Sequence, residues 1–176
     1  DTIRRINSTD PDGNAWARFE RREVGPEEVC ALFRAEAAAL GLDVDATRIL
    51  AGLHGDLRPT MVEALKRCGS RFRTALLTNN VTPLADQEVE RSDVLEVVSL
   101  FDVVVESSVV GCRKPEPAFY ELACERLGVE PSACVFLDDL GVNLKPARKM
   151  GMATIKVGDP ATAIDELSGV LGIDLG

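Results

Sequence analysis

From residue 56 onward, short apolar runs alternate with stretches of helical period, and this alternation restricts the fold more than any other property of the chain. The runs are Thr74–Thr78, Phe101–Val105, Cys134–Asp138 and Ala153–Val157. Each has the length and the aliphatic content of a buried strand rather than of a helix. Helical patterns lie around them: Arg58–Cys68 ending at Gly69, Pro83–Ser92, Pro115–Leu127 closed by Gly128, Leu144–Met150 closed by Gly151, and Ala161–Leu171. Strands joined by single helices predict an α/β fold with a Rossmann-like, doubly wound parallel sheet.

Residues 1–55 follow another rule. They read as helical, with no convincing strand. Trp16 and Phe19 lie three apart on one helix face. Pro26-Glu27-Glu28 opens a helix with proline early and acids in the first turn, and Val29, Leu32, Phe33 and Leu40 give it an apolar stripe up to Gly41. A shorter helix is expected from about Asp45 to Leu53. The domain division is therefore 1–55 helical and 56–176 α/β.

Composition narrows the partners. A net charge of -9 and a pI near 4.7 argue against nucleic acid or an anionic membrane as the main partner. A small phosphorylated molecule needs only a local positive site and stays open. No apolar run approaches the ~18 residues of a membrane span. Five cysteines without a C-x-x-C pair, beside the single His54, argue against zinc or a disulfide framework. They fit reduced, mostly buried thiols in a cytoplasmic protein. Asp1-Thr2-Ile3-Arg4-Arg5 is no signal peptide, and a chain that opens on Asp reads as a fragment or a processed product.

Three polar groups fall at or just past strand ends, where open α/β sheets bind ligands. Thr78-Asn79-Asn80 follows the first strand; its hydroxyl and backbone N–H groups suit phosphate oxygens, although alone it reads as the cap of the helix near Pro83. Lys114 precedes Pro115, which biases its backbone to an extended form and places proline at a helix start. Taken singly it is an ordinary solvated lysine. Asp138 and Asp139 end the third strand. Isolated charges there are costly unless paired or bound to a cation. Side chains alternate along a strand, so one carboxylate should ligate a divalent cation and the other should orient a neighbour. Asn143 is placed to cap the following helix, with Pro146 in its first turn.

The order of these groups resembles the haloacid dehalogenase-like superfamily of hydrolases. Leu76-Leu77-Thr78-Asn79 looks like that family's second motif, Lys114 its third and Asp138-Asp139 its fourth. Val135–Arg148 and the ending Gly172-Ile173-Asp174-Leu175 resemble the subgroup that contains the N-terminal phosphatase domain of soluble epoxide hydrolase and the related domain fused to some acyl-CoA dehydrogenases. The resemblance implies Mg²⁺-dependent phosphoryl transfer through an aspartyl-phosphate. It implies that Thr78, with the backbone near Asn79, binds the transferring group. Lys114 would hold nucleophile and phosphate charges together. Asp139 would ligate Mg²⁺ directly, with Asp138 in support. It further implies that residues 1–55 are a cap over an α/β core, and that a fused or partner domain is possible.

One departure matters. The family's first motif is an apolar strand running into D-x-D-G, and the only literal match is Asp10-Pro11-Asp12-Gly13. Arg4 to Thr9 before it are too polar for a central strand, and Asp-Pro-Asp-Gly is an ordinary turn signature. The nucleophile and its strand, which the family places between the strands ending at Thr78 and Asp138, are therefore expected upstream of residue 1. The alternatives are a non-catalytic binding or regulatory module and a metal-independent haloacid dehalogenase; paired acids argue against the latter. His54 reads as an ordinary loop or core histidine, Trp16 and Phe19 as helical core, and Arg21-Arg22 as a solvated face.

Overall fold

The computed structural model describes residues 2–52, 56–82, 84 and 92–176, so His54 and most of the helix expected at Pro83–Ser92 lie outside the described residues. The chain divides into two compact units, one of residues 1–56, 79–83 and 106–113, the other of 57–78, 84–105 and 114–176.

The first unit is helical: α1 (Thr2–Asn7), α2 (Ala15–Glu20), α3 (Pro26–Ala39), α4 (Ala46–Ala51) and the short α7 (Ser107–Val110). Its core is Ile6, Phe19, Val24, Val29, Cys30 and Phe33, with Trp16 set edge-on to Phe19 and Phe33 at 6.2 and 6.4 Å. This is the apolar face that Trp16, Phe19 and the α3 stripe announce. Asp10–Gly13 forms the turn between α1 and α2: the Gly13 N–H donates to Asp10 Oδ1 at 3.0 Å and the Asn14 N–H to the Asp10 carbonyl at 3.0 Å. The residues before it are helical, not a strand. Arg21 is not a solvated side chain; its guanidinium donates to Glu23 at 2.6 Å and to the Asp12 carbonyl at 2.7 Å.

The second unit carries the strands. In chain order it holds α5 (Pro59–Gly69), β1 (Ala75–Thr78), α6 (Ser92–Val98), β2 (Val103–Glu106), α8 (Pro117–Leu127), β3 (Val135–Asp138), α9 (Gly141–Lys149), β4 (Ala153–Lys156) and α10 (Pro160–Leu171). Among the described residues the strands pair as β1 with β2 and as β3 with β4, the latter parallel from Val135 opposite Ala153 to Asp138 opposite Lys156. The pairs form two separate two-stranded sheets, so β1 and β3 are not hydrogen-bonded to each other. All four residues of β1 are half-buried, although Ala-Leu-Leu is the composition of an interior strand.

The two faces of β3 differ. Val135 and Leu137 pack with Ile155, Ala64, Cys68, Ile164 and Leu167, the core that α5 and α10 cover. Phe136 lies on the opposite face, its ring set edge-on to Tyr120 at 5.2 Å. Asp138, two residues further on, shares that face.

Two helix starts differ from the sequence expectation. Helix α8 begins at Pro117, not Pro115: proline at 117 drives Glu116 into extended backbone (φ -64°, ψ 128°), so no helix can start earlier. The Lys114–Pro115 peptide is cis. Helix α9 begins at Gly141, so Asn143 lies inside its first turn rather than at the cap, and Pro146 stands in its interior. Helix α6 carries Val94, Leu95, Val97 and Val98 at helical spacing and was not expected from sequence; most of the helix expected at Pro83–Ser92 lies outside the described residues.

Candidate functional site

The end of β3 is built around one buried carboxylate. Asp138 is 7% exposed and has three donors. Lys114 Nζ donates to Oδ2 at 2.8 Å; the Leu140 N–H and the Asn143 side-chain amide donate to Oδ1 at 2.8 and 2.9 Å. The local sequence produces this directly. Asp138 is the last residue of the strand, and the chain turns at Asp139 into α9. The N–H of Leu140, the residue before the helix, and the side-chain amide of Asn143 in its first turn then face back toward the carboxylate. Asn143 is therefore the donor to an acid five residues before it, a role opposite to that of an N-cap acceptor.

Lys114 arrives from the loop before α8 and is itself sequestered, its side chain 14% exposed against 3% for Asp138. A pair this buried is worth little net stability, but breaking it is costly because the surviving charge is left largely shielded from solvent. The ammonium also stands 6.0 Å from the centre of the Phe136 ring. That is the outer limit of a cation–π contact, so the carboxylate decides where the lysine sits. Tyr120 anchors the far side. It is fully buried and its hydroxyl donates to the Asn143 carbonyl at 2.7 Å, tying α8 to the first turn of α9.

Asp139 is exposed. The two adjacent acids therefore divide as strand alternation requires, one held inside by donors and one presented to solvent. Among the described residues no three His, Cys, Asp or Glu side chains cluster to hold a metal ion. Thr78 ends β1 and is half-buried.

Asn79 belongs to a different constellation, within the first unit. Its side-chain amide donates to Glu20 Oε2 at 3.1 Å. Arg113 Nε donates to the same oxygen at 2.5 Å, and Trp16 Nε1 donates to Glu20 Oε1 at 3.0 Å. Glu20 is 7% exposed. A neighbouring network joins Asn80 to Glu106 at 2.5 Å, while the hydroxyls of Ser107 and Ser108 donate to the Asn80 carbonyl and Oδ1, both at 3.0 Å. Of the residues expected from sequence, direct contact joins Lys114 and Asp138; Asn79 turns instead to Glu20. Sequence reasoning passed over Glu20, Arg113 and Tyr120. The available signal for Glu20 was an acid four residues after Trp16 on an otherwise apolar helix face.

None of the five cysteines is in a disulfide. No helix among the described residues is long and apolar enough to cross a membrane.

The sequence pattern of the haloacid dehalogenase-like hydrolases matches residues 10–151. Acyl-CoA dehydrogenase family member 10 of Mus musculus is 34% identical over 174 residues, which is 93% of this chain and 16% of that protein. Bifunctional epoxide hydrolase 2 of Sus scrofa is 42% identical over 118 residues, 66% of this chain and 21% of that protein. The chain thus spans between a sixth and about a fifth of these relatives. In structure it resembles a haloacid dehalogenase family enzyme of Bacteroides thetaiotaomicron in complex with magnesium and inorganic phosphate, with a TM-score of 0.59 at 20% identity over 84% of this chain and 77% of that one.

Proposed function

The chain belongs to the haloacid dehalogenase-like hydrolase family, and from that premise we propose that it is the core and cap of a Mg²⁺-dependent phosphatase acting on a small phosphorylated metabolite or a lipid phosphate. The observation that carries this reading is the sequestered Lys114–Asp138 pair directly beside the exposed Asp139. A simple turn acid would not be held by three donors, one of them a largely buried ammonium. The Bacteroides neighbour, crystallised with magnesium and phosphate, supports the same class.

The donor set suits a hard cation. Asp139 offers carboxylate oxygen at the open end of a strand, and Asp138 is fixed by its neighbours, which is how an outer carboxylate steadies a ligating one. Asp139 would hold the ion and Asp138 would orient the turn. When bound, Mg²⁺ supplies charge neutralisation at a phosphoryl oxygen. The remaining work falls to protein groups. The Thr78 hydroxyl and the backbone N–H groups at the end of β1 would bind phosphoryl oxygens. An ammonium has three donors, so Lys114 can hold Asp138 and still meet an anion. The attacking carboxylate would stand on a strand seated between β1 and β3, which among the described residues are not paired with each other. Residues 1–55 would form the cap.

A second reading, a non-catalytic module, is favoured by the turn at Asp10–Gly13, which removes the one literal nucleophile motif in the sequence. One experiment separates the two. The full-length protein is assayed for Mg²⁺-dependent release of phosphate from an aryl phosphate, followed by Asp139→Asn. Turnover that needs Mg²⁺ and is lost in the variant supports the phosphatase. A folded full-length protein that releases no phosphate across a broad monoester panel refutes it, and chloride release from a 2-haloacid without Mg²⁺ would identify a dehalogenase instead.

A further inference from the structure

The phosphatase reading leaves one buried charged cluster unused. Glu20 sits on α2 at 7% exposure, and its carboxylate receives donors from three separate stretches of chain: Trp16 on the same helix, Asn79 and Arg113. Asn79 and Arg113 are respectively 59 and 93 residues away in sequence, yet they converge on one oxygen, Oε2. Arg113 is held further by donation from Nη1 to the Pro11 carbonyl at 3.3 Å, and its side chain is 13% exposed.

Such a carboxylate is tolerated inside a protein only when its lone pairs are taken, and here they are taken by charge-assisted donors. The identity of the two distant partners gives the cluster its meaning. Asn79 directly follows Thr78, and Arg113 directly precedes Lys114. These are the chain neighbours of the two groups assigned above to the transferring phosphoryl. The planar guanidinium fixes direction as well as distance, which a lysine at the same position would not. Gly111, at φ 73°, lets the loop turn sharply just before Arg113.

We propose that Glu20 is a positioning residue for phosphoryl transfer. By clamping Asn79 and Arg113 on one oxygen it sets the backbone on which Thr78 and Lys114 are carried. The inference rests on the phosphatase reading and adds to it a helical residue that touches none of the reacting atoms.

The test compares Glu20→Gln with Trp16→Phe in the full-length protein. Glu20→Gln keeps side-chain volume and an acceptor for Trp16, but it can present an NH₂ group to Asn79 and Arg113, so the shared acceptor is lost. Trp16→Phe removes the donor on Oε1 and leaves the clamp in place. With an aryl phosphate and saturating Mg²⁺, Glu20→Gln is expected to lower kcat by roughly 10- to 100-fold, the scale of a misplacement of about 1 Å. KM should change by less than about threefold, because binding groups common to ground and transition state are retained. Trp16→Phe should keep the kcat of the parent even if its melting temperature falls. Arg113→Lys should recover part of the activity that Arg113→Ala loses. In parallel, the Asn79 side-chain amide resonances should move in Glu20→Gln and stay in place in Trp16→Phe.

Parent-like kcat in a folded Glu20→Gln variant, or unmoved Asn79 resonances, overturns the positioning role while leaving the phosphatase reading intact. Equal losses of kcat in both variants would make the cluster merely structural and overturn it as well. A full-length parent without turnover overturns the phosphatase reading and, with it, the catalytic part of this inference.

Discussion

Asp138 and Asp139 are chemically identical neighbours, and the structure assigns them opposite consequences when each is changed to Asn. Both substitutions remove one charge and almost no volume. At Asp138 the charge removed is the partner of an ammonium that is itself only 14% exposed. The new amide can still accept from Leu140 and Asn143 through its oxygen, but a nitrogen donor can then face Lys114. Breaking one side of a buried pair typically costs about 3–5 kcal/mol. The lower end applies here, because a lysine stem can swing its head toward water. At about 3 kcal/mol the melting temperature should fall by roughly 6–12 °C for a protein of this size. Asp139 is exposed, and its replacement should change stability by less than about 0.5 kcal/mol. Urea titrations give the two free energies directly, provided the slope m is the same for both variants and parent. Repeating them in 1 M salt adds a control: a sequestered pair is weakly screened, so the gap between the variants should persist. Phosphate release should be lost in both. The reasoning is refuted if Asp139→Asn melts as low as Asp138→Asn, or if Asp138→Asn melts with the parent.

Three further expectations follow from groups outside that pair. Tyr120→Phe deletes a buried hydroxyl that donates to the Asn143 carbonyl at 2.7 Å; it should cost about 1–2 kcal/mol in urea denaturation, since the acceptor left behind is buried. Asp159 caps α10 by accepting from the Thr162 N–H at 2.9 Å, and that bond holds its carboxyl below the usual range. The stabilisation is therefore complete above the ordinary aspartate pKa of about 4 and lost as pH falls through the lowered value. The melting temperature of Asp159→Ala should lie below the parent at pH 7, and the two should converge in strong acid; a constant gap down to pH 2 would contradict this. Burial, reinforced by Cys134, pushes the Cys124 thiol up to about 11. Its contribution to stability is full below the ordinary thiol pKa of about 8.5 and is lost as pH rises through about 11, so Cys124→Ala should flatten the alkaline limb of the stability profile measured by urea unfolding.

Much of the α/β unit could be read in the sequence because its signals are local. Four apolar runs of strand length gave β1 to β4 to within two residues, and proline and glycine marked most helix ends. The split between β1 and β3 was also legible, since no apolar run upstream of Asp10 could supply a strand between them. Asn143 was misread because asparagine's usual preference at helix starts points to an acceptor, whereas Asp138 supplies the acceptor here and makes Asn143 the donor. Pro115 alone reads as a helix start, but a second proline two residues later holds Glu116 in extended backbone and moves the start to Pro117. Beyond its i, i+4 spacing from Trp16, the role of Glu20 could not be read. Its partners lie 59 and 93 residues downstream, and no pattern of period two or 3.6 reports a contact of that range.

The parallel pair β3 and β4, with α9 between them, has a bearing on the order in which the chain gains its structure. Partners in this ladder, such as Val135 and Ala153, are close in sequence, and the connecting segment is itself mostly helix. Short closures of this kind form early, because they tie up little chain entropy before contacts accumulate. Lys114 lies 24 residues upstream of Asp138 and must wait for α8 to dock. The acid is thus expected to be in place before its counter-charge. During that interval the amide groups of Leu140 and Asn143 are what keep a carboxylate tolerable at the tip of an apolar strand. The helix start would then act as a provisional partner that lets a functional charge be installed first and neutralised afterwards.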